Sequence, residues 1–347
     1  MELQTEPQRR SRKRPRKTTG ILIKTANDAR GFCDPLSRYG ELPTCQLADL
    51  YKAINGLAPD SDYPLERLRD VFHETEGQPT AQQMFIRPEY QWRYGINHQT
   101  IYRKTAGTSL FLHTSGHYDA DMVRWSNTAP VVQLSADQHQ PPSQHDAALA
   151  LAASSIEIAV RRSASLSYVT HIDILKNASP EAQGASSPLS IPVPQISHVF
   201  PSGKGVTLKN IRVKPDNLFG IQHAVGAKFY AVELDRSTED MEPSQNLHRQ
   251  SWLRKILCYM AMSKHPSPAY RTYLRVPNLQ VICLFQDSRR MEHAIEIAKR
   301  HGANQLLFMT TPPIDPLLNA ALMPHLFANS YRRIAGTFNI STLAEGR

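Results

Sequence analysis

Apolar residues recur at the helical spacing i, i+3, i+4, i+7 in two stretches near the start of the chain. In the first, Leu47, Leu50, Tyr51 and Ile54 form the stripe, Thr44 stands as an N-cap, and Asn55-Gly56 ends the helix. In the second, Pro64 opens the helix and Leu65, Leu68, Val71 and Phe72 turn inward, which leaves Arg67, Arg69 and His73 outside. Short aromatic and β-branched segments follow at 84–86, 90–94, 101–103 and 110–112, separated by Gly, Pro and Asn, as in a small β-wing. A polar, proline-bearing stretch at 126–144 reads as a linker. Beyond it the pattern predicts a helix over 145–162, a strand over 166–175 and a Ser/Pro/Ala-rich mobile loop over 177–194. Val206, Leu208, Ile211 and Val213 alternate as a strand, and Phe229 to Val232 form a second one. A helix beginning near Ser244 carries Ser251, Lys255 and Tyr259 on a single face. Then come a buried strand over 279–285, a helix over 289–301 closed by Gly302, a strand over 306–310 and a last helix over 316–333.

Composition narrows the class. A chain of 347 residues with 41% hydrophobic and 20% charged residues is globular and long enough for two domains. Cys33, Cys45, Cys258 and Cys283 form no Cys-x-x-Cys pair, so a zinc ribbon or disulfide scaffold is not expected and a reducing cytoplasm is. No apolar run reaches membrane-spanning length, and no membrane association is expected. The net charge is +9, and residues 1–17 alone carry seven Arg/Lys against two Glu. Arg9, Arg10, Arg12, Lys13, Arg14, Arg16 and Lys17 thus make residues 1–19 a disordered basic arm suited to phosphate contacts.

The candidate chemistry lies between Lys214 and Tyr259. Pro215-Asp216 follows one strand, and the next ends in Glu233-Leu234-Asp235, whose two carboxylates leave the same face. If the two strands are neighbours, Asp216 approaches that face. Three carboxylates there would repel one another without a cation, and hard oxygen ligands suit Mg²⁺ or Mn²⁺.

Pro215, Asp216, Glu233, Asp235, Arg236, Lys255 and Tyr259, in the segments KPDNLF, FYAVELDRSTE and WLRKILCY, resemble the replication-relaxation family of plasmids and mobile elements. More broadly they resemble the PD-(D/E)XK nucleases. The chain departs from the nuclease pattern at Asp235, where a lysine is expected; Lys255 on the following helix is the candidate replacement. The resemblance implies an α/β (α+β overall) chain with a winged helix-turn-helix DNA-binding domain at 20–125. A linker at 126–144 and a restriction-endonuclease-like core at 145–347 complete the plan. It implies a helix in the major groove presenting Arg67 and Arg69, with Arg93, Arg103 and Lys104 on the wing. It also implies a metal held by Asp216, Glu233 and Asp235, with Lys255 at the reacting phosphate. Glu157 is a candidate extra acid, although a surface role is the plainer expectation, and His145-Asp146 matches a family signature or acts only as a cap. Three functions follow: a metal-dependent DNA nickase or endonuclease, a catalytically degenerate DNA-binding accessory, or a winged-helix transcriptional regulator. Double-stranded DNA is the expected partner, together with replication or mobilisation proteins.

Overall fold

The computed structural model describes residues 25–76, 83–88, 100–125, 144–264, 267–312 and 323–345. The basic arm, Arg93 and the linker up to residue 143 lie outside the described residues.

A continuous helical stretch opens the described chain: α1 (Ala26–Asp28), a π turn (Ala29–Cys33) and α2 (Asp34–Tyr39), started by a capping box between Thr25 and Asp28. Then come β1 (Glu41–Pro43), α3 (Thr44–Asn55), α4 (Tyr63–Thr75), β2 (Phe85–Ile86) and β3 (Ile101–Lys104). The three strands form an antiparallel sheet in the order β1-β3-β2. Both expected helices are present, and Gly56 closes α3 in the left-handed conformation at φ 68°. Thr44 is the first helical residue rather than the cap, and its hydroxyl donates to the Thr100 carbonyl. Leu65 is exposed and Arg67 buried, the reverse of the expectation. The segment at 110–112 is also not a strand. It lies in α5 (Ala106–Thr114), because Thr105 and Thr108 form a capping box that commits the chain to a helix. α6 (Ala120–Trp125) follows.

α7 (Gln144–Arg162) is buried along most of its length because it is shared. Ala148, Leu151, Ile156 and Val160 pack on the large sheet, whereas Ala150 and Ile158 join the core of the N-terminal helices. Gln46 donates from α3 to Ser154 and Ser155. Glu157 is fully buried here and not on the surface.

After α7 come β4 (Ser167–Val169), α8 (His171–Lys176), α9 (Pro180–Gly184), β5 (Ile191–Val199), β6 (Gly205–Val213), β7 (Asn217–His223) and β8 (Gly226–Asp235). α10 (Trp252–Met262), α11 (Ala269–Tyr273), β9 (Gln280–Phe285), α12 (Ser288–His301) and β10 (Leu306–Thr310) complete the main layers. α13 (His325–Ala328), β11 (Ser330–Arg332), β12 (Thr337–Asn339) and a 3-10 turn (Ile340–Glu345) close the chain. The seven-stranded mixed sheet runs β12-β11-β10-β9-β8-β7-β4, with β8, β9 and β10 parallel and the other pairs antiparallel.

Four expectations change. The strand over 166–175 stops after Val169, because Thr170 and Asp173 cap a helix. Residues 177–194 hold α9 and the start of β5 rather than only a loop. The alternating 206–213 segment pairs with β5 in a separate two-stranded ribbon, and β8 pairs instead with β7, in a stretch whose glycine and polar residues read as a bend. Gly220 belongs in that strand because a Cβ there would meet the Phe229 ring at 2.9 Å. Of the last helix expected over 316–333, the described residues hold α13 and then the first strand of a hairpin; residues 313–322 lie outside the described residues.

Strand alternation divides the sheet into two faces. Phe219, Tyr230, Val232, Leu234, Ile282, Leu284 and Leu307 meet α7 and α13. Leu218, Ala231, Val281, Cys283, Phe285 and Phe308 meet α10, α12 and the ribbon. Asp216, Glu233 and Asp235 share the parity of the second set, so they turn toward α10 and α12.

Candidate functional site

Asp216 immediately precedes β7, and its N–H donates to the Val232 carbonyl at 3.0 Å. This continues the β7–β8 register, in which Asn217 faces Val232, and sets Asp216 opposite Glu233. Among the described residues, two hydrogen bonds reach the Asp216 carboxylate, both on Oδ2: the Leu234 N–H at 2.9 Å and His145 Nε2 at 3.2 Å. Asp146 and Asp216 hold the His145 imidazolium up, to about 10, against the effect of burial. The start of α7 therefore delivers a cation to Asp216 at neutral pH.

Glu233 is buried on the α10 side. Its Oε1 accepts from the Tyr259 hydroxyl at 2.5 Å, and Oε2 lies 2.8 Å from Lys255 Nζ. Ser251 caps α10 by accepting the Arg254 N–H, which starts the helix at Trp252 and not near Ser244. From that start, Lys255 and Tyr259 stand one turn apart and both reach Glu233. Lys255 also meets Glu239 at 3.1 Å. Burial pushes the Glu233 carboxyl up to about 7; Lys255 opposes this rise and the nearby Asp216 adds to it. Burial lowers the Lys255 ammonium, but Glu233, Asp216 and Glu239 more than offset this and leave it above its usual range.

Asp235 does not join this group. Its carboxylate accepts from Trp252 Nε1 at 3.0 Å and from Arg290 Nε at 2.6 Å and Nη2 at 2.9 Å. The residue that stands where a lysine was expected ties the end of β8 to the first turns of α10 and α12. The expected three-carboxylate cluster is thus reduced to Asp216 and Glu233. Among the described residues, no group of three or more His, Cys, Asp or Glu side chains is placed to hold a metal ion. Glu157 is not near these carboxylates in role either: it accepts from Arg38 at 2.6 and 3.0 Å, Tyr39 at 2.6 Å and Arg161 at 2.8 Å.

No protein-family model, no curated protein and no solved structure matches this chain. No described helix is long and apolar enough to cross a membrane.

The expected DNA-reading residues fare unevenly. Arg67 turns inward and pairs with the fully buried Asp28 at 2.6 Å. This corrects its assignment to the outer face: one turn of helix places it with Pro64, Leu68 and Val71. Arg69 is exposed, but Asp70 stands beside it at 3.9 Å and Glu66 is exposed on the same helix. Arg103 pairs across β1–β3 with Glu41, and Lys104 is buried, which pushes its ammonium down to about 8. Arg67→Ala is therefore expected to lower stability by on the order of 3 kcal/mol, since it strands the buried Asp28 carboxylate. Urea denaturation measures this, and duplex affinity of the folded variant should match wild type. Glu239 as a second partner of Lys255, and Arg290 as the partner of Asp235, carry no strong sequence signal, and His145, noted only as a signature or a cap, is placed against Asp216 by the fold. Their sequence distances from the strands hide them.

Proposed function

We propose that this chain is a DNA-binding protein of the replication-relaxation type, in which Asp216, Glu233 and Lys255 form a metal-assisted phosphodiester-cleaving site. The observation that carries the reading is the cross-strand approach of Asp216 to Glu233, with Lys255 Nζ 2.8 Å from Glu233. Support for the layout comes from element order. The order helix, β1, α3, α4, β2 and β3, with sheet order β1-β3-β2, supports a winged-helix reading. The order α7, β4, β7, β8, α10 and β9 supports a nuclease-like core reading once the β5–β6 ribbon is taken as an insertion.

Two carboxylates suit Mg²⁺ or Mn²⁺ because such ions often take only one or two protein ligands and fill the rest with phosphate oxygens and water. The ion would supply positive charge against the phosphate being cleaved. Lys255 adds a fixed cation beside the same point, where negative charge grows during phosphoryl transfer. His145 and Lys255 stand as fixed positive partners of the two carboxylates. The test is the thermal unfolding of wild type with and without Mn²⁺ or Mg²⁺. An increase in Tm is expected, and Asp216→Asn should abolish it. An increase of the same size in Asp216→Asn would refute the metal assignment.

A degenerate accessory role is the second reading. It is favoured by Asp235, which occupies the place of the usual lysine and is fully engaged by Trp252 and Arg290. The two readings share DNA binding and differ in cleavage.

A further inference from the structure

β5 and β6 form a ribbon whose inner face, with Ile191, Val193, Ile196, Leu208 and Val213, packs into the core beside α10. Its outer face is mostly polar, apart from the exposed Val199 at the tip end of β5. Gln195 faces Lys209 and Ser197 faces Thr207 across the two strands, and all four are exposed. The turn at the tip is tight: the Phe200 N–H donates to the Lys204 carbonyl, and Gly203 takes φ 81°. Opposite Pro194, which has no N–H to offer, Asn210 leaves the regular register at φ 51°. The ribbon is therefore a shaped, anchored element with one solvent face.

Its charge is one-sided. From Ala182 to Pro215 there is no Asp or Glu, where the chain's own average would put about three, and there are four Lys/Arg. Lys204 lies in the tip turn, Lys209 on the outer face of β6, and Lys214 at the base, two residues before Asp216; all three are exposed. Arg212 is different, since it bonds the Ser190 carbonyl and the Tyr273 hydroxyl and anchors the ribbon. His198 on β5 lies 5.6 Å from His301, which brings the last turn of α12, with Lys299 and the Glu242-paired Arg300, beside the ribbon. The nine residues of β6 between Lys204 and Lys214 span about 30 Å, long enough to follow several phosphates of one DNA strand.

We propose that the β5–β6 ribbon is a duplex-DNA tracking surface that holds the phosphate backbone through Lys204, Lys209 and Lys214 and leads it to Asp216. This deepens, and rests on, the DNA-binding reading above. The partner chemistry follows from the residues: cations spaced along a ribbon, hydroxyls and an amide between them, and no carboxylate on the ribbon itself to repel a polyanion. By contrast α4 offers one exposed arginine beside Glu66 and Asp70, so the ribbon and not α4 carries the phosphate contacts of the described residues. Such contacts hold DNA without regard to sequence.

The test measures binding of the full chain to a fluorescent mixed-sequence duplex of about 30 base pairs, in EDTA, between about 50 and 200 mM salt. The variant Lys204→Ala/Lys209→Ala/Lys214→Ala should melt like wild type, bind on the order of 10-fold more weakly or worse, and lose about 2 to 3 from the slope of log affinity against log salt. Wild-type affinity and slope in this variant would overturn the ribbon while leaving DNA binding standing. An equal loss in Lys52→Ala/Lys176→Ala/Lys264→Ala, which removes the same charge elsewhere, would also overturn it. Failure of wild type to bind duplex would overturn both the ribbon and the reading it rests on.

Discussion

Replacing Lys255 with alanine is expected to reduce metal-dependent nicking of supercoiled plasmid by at least about 100-fold, the usual effect of removing one preorganised charge donor from an active site. The same variant should keep a metal-induced rise in Tm at least as large as that of wild type. With the ammonium gone, Asp216 and Glu233 have lost their nearest fixed cation on the α10 side, so a divalent ion becomes worth more to the fold. The pH dependence gives a further readout. Burial already raises Glu233 to about 7, and Lys255 is the main group opposing that rise. A carboxyl whose folded pKa lies above its unfolded value favours the fold at low pH, and that favour is lost as pH rises through the folded pKa. Without Lys255 the folded value of Glu233 moves higher, so the variant should lose stability more steeply than wild type as pH rises above 7. Unchanged nicking in Lys255→Ala would remove it from the chemistry. Absence of nicking by wild type on any DNA form, with the metal shift intact, would place the protein in the accessory role.

The second large effect is structural. Glu157→Ala should destabilise the chain by about 3 to 5 kcal/mol in urea denaturation, because it leaves the buried Arg38 guanidinium without the partner that links two cores. Arg38 and its partner Asp34 belong to the N-terminal helices, whereas Glu157 and Arg161 belong to α7 on the large sheet. Burial alone would raise the Glu157 carboxyl, but Arg38 and Arg161 hold it down at about 2. The sign is opposite to that at Glu233. A depressed folded pKa contributes stability above the unfolded value near 4.5, and this is lost as pH falls toward 2. Wild type should lose stability steeply across that interval, and Glu157→Ala should lose less of it. Glu157→Gln keeps the shape but not the charge, so a cost equal to that of alanine would assign the effect to the ion pair rather than to packing. If Glu157→Ala unfolds at the wild-type urea midpoint, the network contributes nothing to stability.

Local patterns in the chain already determined several features. The stripes of α3 and α12, the glycines that close them, the apolar β9 and β10, and the shared face of Glu233 and Asp235 all follow from periods of 3.6 and 2. These depend only on neighbours within a turn or a pleat. Capping boxes at Thr105 and Thr170 were equally local, yet the aromatic and β-branched content of the same segments pointed to strands, and the caps prevailed. Tertiary structure alone decided the rest. Which strand pairs with β8 depended on the close approach of Gly220 to Phe229, and a glycine by itself reads as a bend. Whether Arg67 read DNA or neutralised Asp28 depended on a residue 39 positions away. The fate of Asp235 was settled by Trp252 and Arg290, on two different helices that the parallel crossovers bring to one strand end. Charge needs a partner in space, and sequence spacing supplies that partner only within a single element.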